Sequence, residues 1–302
     1  MEAGSRTRGR TRAEVIAAVR SVISDYLEMT KPKVQSLLLF TTVTTMYVAG
    51  DPSLGLVALT CVGGALSAGG AGAINHALDR DIDQLMSRTA DRPVASGRVS
   101  PRAAIVFGVL LGCASFALLA LTVNPTAAVL AMSGLLGYVL VYTLWLKRTT
   151  PQNIVIGGAA GAVPPLVAWA AVTGGLEGSA LYLFAIVFYW TPPHFWALSL
   201  LMKDEYAKAN VPMLPVVRGE AETRRQILLY TVLLVAVTML PFAGRLFDGF
   251  YLAAALALGG VFIAFSTVLF RRADRRWALR TYLFSLAYLA LLFGAMVADV
   301  RL

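Results

Sequence analysis

Asn75-His76-Ala77-Leu78-Asp79-Arg80-Asp81-Ile82-Asp83-Gln84-Leu85-Met86-Ser87-Arg88-Thr89-Ala90-Asp91-Arg92-Pro93 is the densest run of charge in the chain. It follows directly on an apolar run, Leu54 to Ile74, long enough to cross a bilayer. Asn75, Asp79 and Asp83 recur every four residues. On a helix they share one side, drifting about 40° and rising roughly 6 Å per step. Unpaired carboxylates that close raise one another's pKa, and a divalent cation is their natural counter-charge. Mg²⁺ takes oxygen ligands, prefers one or two carboxylates and completes its shell with water and substrate phosphates. Arg88 and Arg92, one helical turn apart, follow at once and carry the fork geometry that suits phosphate oxygens. The same spacing also suits a solvated, mixed-charge loop capping a membrane helix. By itself the segment leaves both readings open.

Outward from this stretch the chain is greasy. Of 302 residues, 58% are hydrophobic and 14% charged, well below the quarter that soluble domains carry, so the fold class is an all-α, polytopic membrane protein. Nine apolar spans are predicted, at 33–50, 54–78, 101–123, 126–146, 152–173, 179–201, 224–243, 249–270 and 279–299. The linkers between them alternate. Those at Gly50–Ser53, Val123–Pro125, Thr173–Glu177 and Gly244–Asp248 are short and nearly free of positive charge. The others hold Arg80, Arg88, Arg92, Arg98 and Arg102, then Lys147 and Arg148, then Lys203, Lys208, Arg218, Arg224 and Arg225, and finally Arg271, Arg272, Arg275, Arg276 and Arg280. By the positive-inside rule the basic set faces the cytoplasm, with the N-terminus inside and the C-terminus outside. The net charge of +9 is therefore topological and does not call for nucleic acid. Residues 1–30 read as a basic cytoplasmic tail without a signal peptide, followed by an interfacial amphipathic helix on Ile16, Val19, Ile23, Tyr26 and Leu27. Thr30-Lys31-Pro32 reads as a helix start, with Pro near the first turn, and residues 31–302 form a single transmembrane domain. Cys61 and Cys113 lie within apolar runs and read as small core residues.

This topology gathers three polar clusters at the cytoplasmic ends of even-numbered spans. One is Asn75 to Arg92. Another closes the fourth span with Tyr138, Tyr142, Thr143, Lys147 and Arg148. The third ends the sixth span: Trp190, Pro192-Pro193-His194, Trp196, then Asp204 and Glu205. Ionisable groups near membrane depth are costly and mark sites. Lys147 and Arg148 also read as simple topology anchors, but sharing a side with the aspartates favours neutralisation of a diphosphate. Pro192-Pro193 breaks a helix where it lines a cavity, or only kinks it. The surrounding aromatics suit a site or an interface belt.

Asn75-x-x-x-Asp79-x-x-x-Asp83, with Met86-x-Arg88-Thr89-x-x-Arg92-Pro93, resembles the first aspartate-rich motif of the UbiA superfamily of intramembrane prenyltransferases. Tyr142-Thr143 to Lys147-Arg148, Pro193 to Leu198, Asp204-Glu205-Tyr206 and Ala209 to Pro215 resemble motifs of its haem O synthase branch. The likeness runs from about Tyr26 to Arg276. It implies a ring of helices around a central cavity, built on a duplicated four-helix unit, in the plasma (inner) membrane in preference to a mitochondrial one. It also implies transfer of farnesyl from farnesyl diphosphate to a vinyl group of haem B, with Mg²⁺ as cofactor and haem A synthase or terminal-oxidase assembly as downstream partners. The residues so implicated are Asn75, Asp79, Asp83, Arg88, Arg92, Tyr142, Lys147, Arg148, His194 and Asp204. Asp79, Asp83, Asp204 and Glu205 would serve as metal ligands, Arg88, Arg92, Lys147 and Arg148 would hold diphosphate, and His194, Trp190 and Trp196 would meet haem. Where other members carry the first aspartate of the second motif, this chain has His194, which puts a second carboxylate-held metal in doubt. A prenyltransferase of 4-hydroxybenzoate or another quinone or tetrapyrrole acceptor would share the first motif. A cation-coupled transporter would place ionisable groups near mid-span with access from both sides, whereas here they cluster at one end.

Overall fold

In the computed structural model, residues 12–302 are described, with residues 12–18 as backbone only. The Arg-rich tail and the Ile16 side chain lie outside the described residues. Helix α1 (Arg12–Met29) lies ahead of the bundle. It leaves Val19, Ile23 and Leu27 exposed and turns Tyr26 edge-on to Phe107, centroids 4.9 Å apart. Lys31, in a left-handed conformation (φ 56°), and Pro32 in the first turn start α2 (Pro32–Ala49). Ser53 caps α3 (Leu54–Leu78), which stops at the carboxylate stretch; α4 (Arg80–Leu85) is one short turn within it. Ser100 with Pro101, and Asn124 with Pro125, start α5 (Pro101–Thr122) and α6 (Pro125–Leu136). The rod continues as a π-helix over Gly137–Leu146 and ends in α7 (Lys147–Thr149).

The fifth predicted span is two helices, α8 (Asn153–Gly161) and α9 (Val163–Thr173), broken at Ala162 just ahead of Pro164-Pro165. Then follow α10 (Gly178–Leu201), α11 (Lys203–Lys208), α12 (Leu214–Val217), α13 (Gly219–Thr238) with its short extension α14 (Leu240–Ala243), α15 (Gly249–Arg272) and α16 (Arg275–Arg301). Every predicted span thus falls on a helical rod. Among the described residues, seven rods are long and apolar enough to cross a membrane. The other two, α2 and α10, fall short of that measure, α2 through Pro32, Lys33 and Gln35 in its first turn and α10 through Pro192, Pro193, His194 and its aromatics, so length and apolarity give seven spans where the sequence reading expected nine.

The helices close into a ring: α3 packs on α5, α5 on α6, α6 on α9, α9 on α10, α10 on α13, α13 on α15, α15 on α16, α16 on α2, and α2 returns to α3. The α3/α5 contact is close because a Cβ on Gly70 would stand 2.6 Å from the Gly108 carbonyl oxygen, the small-residue packing that membrane helices use. Buried hydroxyls stitch the rods through backbone carbonyls, Ser115 to Gly63 at 2.7 Å and Ser67 to Ala131 at 2.9 Å.

The alternation of linkers is visible in the two ends. At one end Arg98 pairs with Asp25, Arg148 with Asp81 and Lys203 with Glu220. At the other, Arg301 pairs with Asp51, the Asn124 amide donates to the Ala170 carbonyl, and the Asp248 N–H donates to Asp299. α1 and the last turn of α16 lie at opposite ends.

Candidate active site

The carboxylate stretch does not continue α3. The helix stops at Leu78, and Asp79 caps it with φ −93° and ψ 10°, so Asp83 sits on α4. Asn75 and Asp79 remain joined, the amide Nδ2 donating to Asp79 Oδ2 at 2.6 Å and to Thr143 Oγ1 at 3.1 Å. Asp79 is fully buried and Asp83 2% exposed. Two buried carboxylates are tolerable only with cations beside them, and the neighbouring elements deliver these. Lys147, from the end of the α6 rod, donates to Asp79 Oδ2. Arg92 Nη1 reaches both oxygens of Asp83 at 2.8 Å. The 86–99 loop is held on α4 by Thr89 Oγ1 to the Asp83 carbonyl and Gln84 Nε2 to the Ala95 carbonyl.

The π-helix accounts for where the fourth-span residues point. Its wider turn is supported by Thr143, whose hydroxyl donates to the Tyr138 carbonyl five residues back, at 2.9 Å. π turns recur at functional sites. Here one brings Tyr138 and Tyr142 together, ring centroids 5.3 Å apart, above a Lys147 that faces inward. Arg148 faces the other way. Its guanidinium grips Asp81 with two bonds of 2.7 Å and lies 3.7 Å from Asp79 Oδ1. Those hydrogen bonds hold the Asp81 carboxyl down at about 2.

One site residue escaped the sequence reading. Lys31, which reads there only as part of a helix start, sends its ammonium to Asn75 Oδ1 at 2.6 Å and to the Tyr138 hydroxyl at 3.4 Å. Burial, with Arg92 and Lys147 nearby, pulls its pKa to about 7. Lys31 and Tyr138 also line the head of a cavity of about 230 Å³ between α2, α3, α6, α8 and α9. Below them the walls are small and apolar: Ala68, Ala71, Gly72, Ala131 and Gly161, down to Thr42, Thr60 and Val167.

The third cluster divides. The Ser87 hydroxyl donates to Glu205 Oε1, tying α11 to the carboxylate stretch, whereas Asp204 is exposed and lines a separate polar cleft with Lys203, Glu220, Arg224 and Arg275. The four carboxylates expected to share metal are therefore not gathered as one set: Asp204 lies one residue round the helix from Glu205 and faces away. Among the described residues no group of three or more His, Cys, Asp or Glu forms a ready metal cluster. Asp79 Oδ1 and Glu205 Oε2 are buried without a hydrogen-bond partner, and uncommitted anionic oxygens suit an oxygen-ligated cation. Arg88 is exposed. His194 stacks on Trp190, centroids 4.2 Å and planes 19° apart. Trp196, two residues on, turns to the opposite side, where it is 1% exposed and packs with Ile82, Met86 and Tyr206. Its expected place beside His194 is corrected by the helical period. His76 is buried, its Nδ1 without a partner.

A polar mouth of carboxylates and cations above a narrow apolar cavity suits an amphiphile with an anionic head and a hydrocarbon tail. The fold is found in solved structures. A digeranylgeranylglyceryl phosphate synthase superposes with a TM-score of 0.76 at 18% identity, over 93% of this chain and 99% of that one. A UbiA homologue from Archaeoglobus fulgidus, bound to DMAPP and Mg²⁺, gives 0.67 at 17% identity, over 90% and 99%. Sequence likeness is far higher to proteins named protoheme IX farnesyltransferase. The one from Chloroflexus aurantiacus is 55% identical over 284 residues, 93% of this chain and 48% of that protein. The one from Roseiflexus sp. is 50% identical over 96% of this chain and 55% of that protein. The chain thus spans about half the length of these two relatives, but 93% of the Alkalilimnicola ehrlichii protein, to which it is 51% identical over 92% of its own length. The sequence profile of the UbiA prenyltransferase family matches residues 37–292, and the chain belongs to that family.

Proposed function

We propose that this protein transfers the farnesyl group of farnesyl diphosphate to a vinyl group of haem B, with addition of water, giving haem O and pyrophosphate. The observation that carries the reading is the junction at Lys31 and Tyr138, which belong at once to the apolar cavity and to the network around Asp79. Along α3 the cavity runs from Gly72 to Thr60, about 18 Å at the helical rise. An extended chain advances about 1.2 Å per bond, so the twelve main-chain carbons of farnesyl need about 13 Å. The diphosphate then lies among Lys31, Lys147, Arg92 and Arg148, with Arg88 at the rim. The names borne by its sequence relatives point to haem as acceptor, and the Mg²⁺ of the archaeal homologue points to the metal.

Asp79, Asp83 and Glu205 are the oxygen donors that would hold Mg²⁺, which when bound neutralises diphosphate charge as a Lewis acid. The chain's own residues do the rest. As the C1–O bond of the farnesyl diphosphate breaks, its electron pair leaves with the diphosphate. Lys147 and Arg92, preset by their carboxylate partners, stabilise the charge that grows there. Asn75 holds Lys31 and Asp79 in register. Tyr138 and Tyr142 offer ring faces to the allylic cation. The vinyl π electrons form the new carbon–carbon bond, and water captures the resulting cation and loses a proton. The apolar walls keep water from the allylic cation until that bond exists. His194, stacked on Trp190, meets haem. The basic end faces the cytoplasm, and the protein resides in the bacterial inner membrane.

The test is a product assay in lipid with Mg²⁺, farnesyl diphosphate and either haem B or 4-hydroxybenzoate. Conversion of haem B to a hydroxyethylfarnesyl haem is expected. Prenylation of 4-hydroxybenzoate with haem B unchanged overturns the acceptor.

A further inference from the structure

His194 does not stand alone against α16. Three contacts meet at Ser285, which is itself fully buried. The Trp190 indole Nε1 donates to the Ser285 carbonyl at 2.7 Å. The Ser285 hydroxyl donates to the Tyr282 carbonyl at 2.6 Å. His194 Nδ1 lies 2.7 Å from the same Ser285 oxygen. A serine hydroxyl has one proton and two lone pairs. A carbonyl oxygen can only accept, so the contact to Tyr282 takes that proton; the hydroxyl oxygen then meets Nδ1 as an acceptor, and Nδ1 carries the hydrogen. A neutral imidazole has one N–H, and Nε2 is therefore a bare lone pair. Nε2 has no hydrogen-bond partner among the described residues, and on this half-buried side chain it keeps some exposure. The ring cannot readily turn: Trp190 stacks on one face and Tyr282 lies 5.0 Å away, tilted by 32°.

We infer that Ser285 is a positioning residue that fixes His194 as the Nδ1–H tautomer and so presents Nε2 as an axial ligand to the iron of the haem acceptor. The arrangement is the one by which a second partner orients a metal-binding imidazole. It rests on the haem reading above, but the tautomer is a property of the protein alone. With Nε2 on iron, the macrocycle is held by its metal, and its vinyl edge is free to rotate toward the allylic carbon only about the Fe–N axis.

The chain has two histidines, so ¹⁵N-histidine-labelled protein gives an imidazole spectrum that the His194→Ala variant assigns. Unmodified protein is expected to show a protonated Nδ1 and an unprotonated Nε2 at position 194. Ser285→Ala should give a mixture of tautomers, and Ser285→Thr should keep the single one. In a ferric haem B titration, Ser285→Ala should raise Kd by about ten- to a hundred-fold, the usual cost of losing such a partner, and weaken the axial-imidazole band. Ser285→Thr should restore both, and Kd for farnesyl diphosphate should not move in either variant. An Nε2–H tautomer in the unmodified protein overturns the inference, and that measurement needs no variant to fold. So does a Ser285→Ala protein with unchanged tautomer and haem Kd. If His194→Ala binds haem with an unaltered spectrum while the Nδ1–H tautomer is found, the haem role of His194 is what fails.

Discussion

Replacing Lys147 by Met separates the structural and chemical tasks of one side chain. Lys147 is the closest cation to Asp79, which has no exposure of its own. Removing one partner of a buried pair commonly costs about 3–5 kcal/mol. Here the loss should lie at or below the lower end of that range, because Asn75 still donates to Asp79 Oδ2 and the Arg148 guanidinium, 3.7 Å from Oδ1, can close in. In the mechanism proposed, the same ammonium meets the departing diphosphate. A preset donor at developing charge is worth about 10²–10³ in rate, and the loss should fall on kcat more than on KM. Thermal unfolding in detergent and steady-state haem O formation, measured on the same preparation, separate the two effects. Lys147→Arg keeps the charge on a different fork and should recover stability better than rate. A Lys147→Met protein that is destabilised yet turns over within about threefold of the unmodified enzyme, a loss of about 0.6 kcal/mol, would show Lys147 to be only the counter-ion of Asp79.

Glu205→Gln should weaken Mg²⁺ dependence and lower kcat at least tenfold, while Asp204→Asn, in its separate cleft, should stay near the unmodified rate; a Mg²⁺ titration of both variants with the reverse order would return Asp204 to the site. Gly64 lies about 12 Å below Gly72 on α3 and has open space where a Cβ would stand. Gly64→Leu should therefore let geranyl diphosphate compete better against farnesyl diphosphate in a mixed-substrate product assay, and unchanged selectivity would place the tail elsewhere. A reporter fused after Leu302 should be active only outside the cytoplasm, because Arg301 and α1 lie at opposite ends of the bundle; cytoplasmic activity would reverse the orientation.

The sequence speaks most clearly where its signal is local. Spans and linker charge follow from hydropathy and the cost of burying cations, and each predicted span is a rod. The four-residue period of Asn75, Asp79 and Asp83 marks the site, yet the helix that would make them one ladder ends at Leu78, because the buried carboxylates bond to Lys147 and Arg92 from other elements. No period within the stretch encodes that. Lys31 meets Asn75 across 44 residues of chain, so a helix-start signal conceals a site cation until α2 and α3 pack. Whether Asp204 or Glu205 faces the site, and which side Trp196 takes, depends on the rotation of α11 and α10, which one-residue differences decide at 100° per residue. The π-helix over Gly137–Leu146 has no pattern by which an ordinary apolar span could be told from it. Its one legible trace is Thr143, whose hydroxyl supports the wide turn.

The most direct test of the account is an experimental structure of the protein in lipid with Mg²⁺ and a non-hydrolysable thiolo analogue of farnesyl diphosphate. The predicted density puts the diphosphate within hydrogen-bond reach of Lys31, Lys147 and Arg92, metal on Asp79 and Asp83, and the hydrocarbon tail running down past Gly72 and Ala68 to end near Gly64. A diphosphate seated in the Lys203–Arg224–Arg275 cleft, or a tail lying outside the α2–α3–α6–α9 cavity, would contradict it.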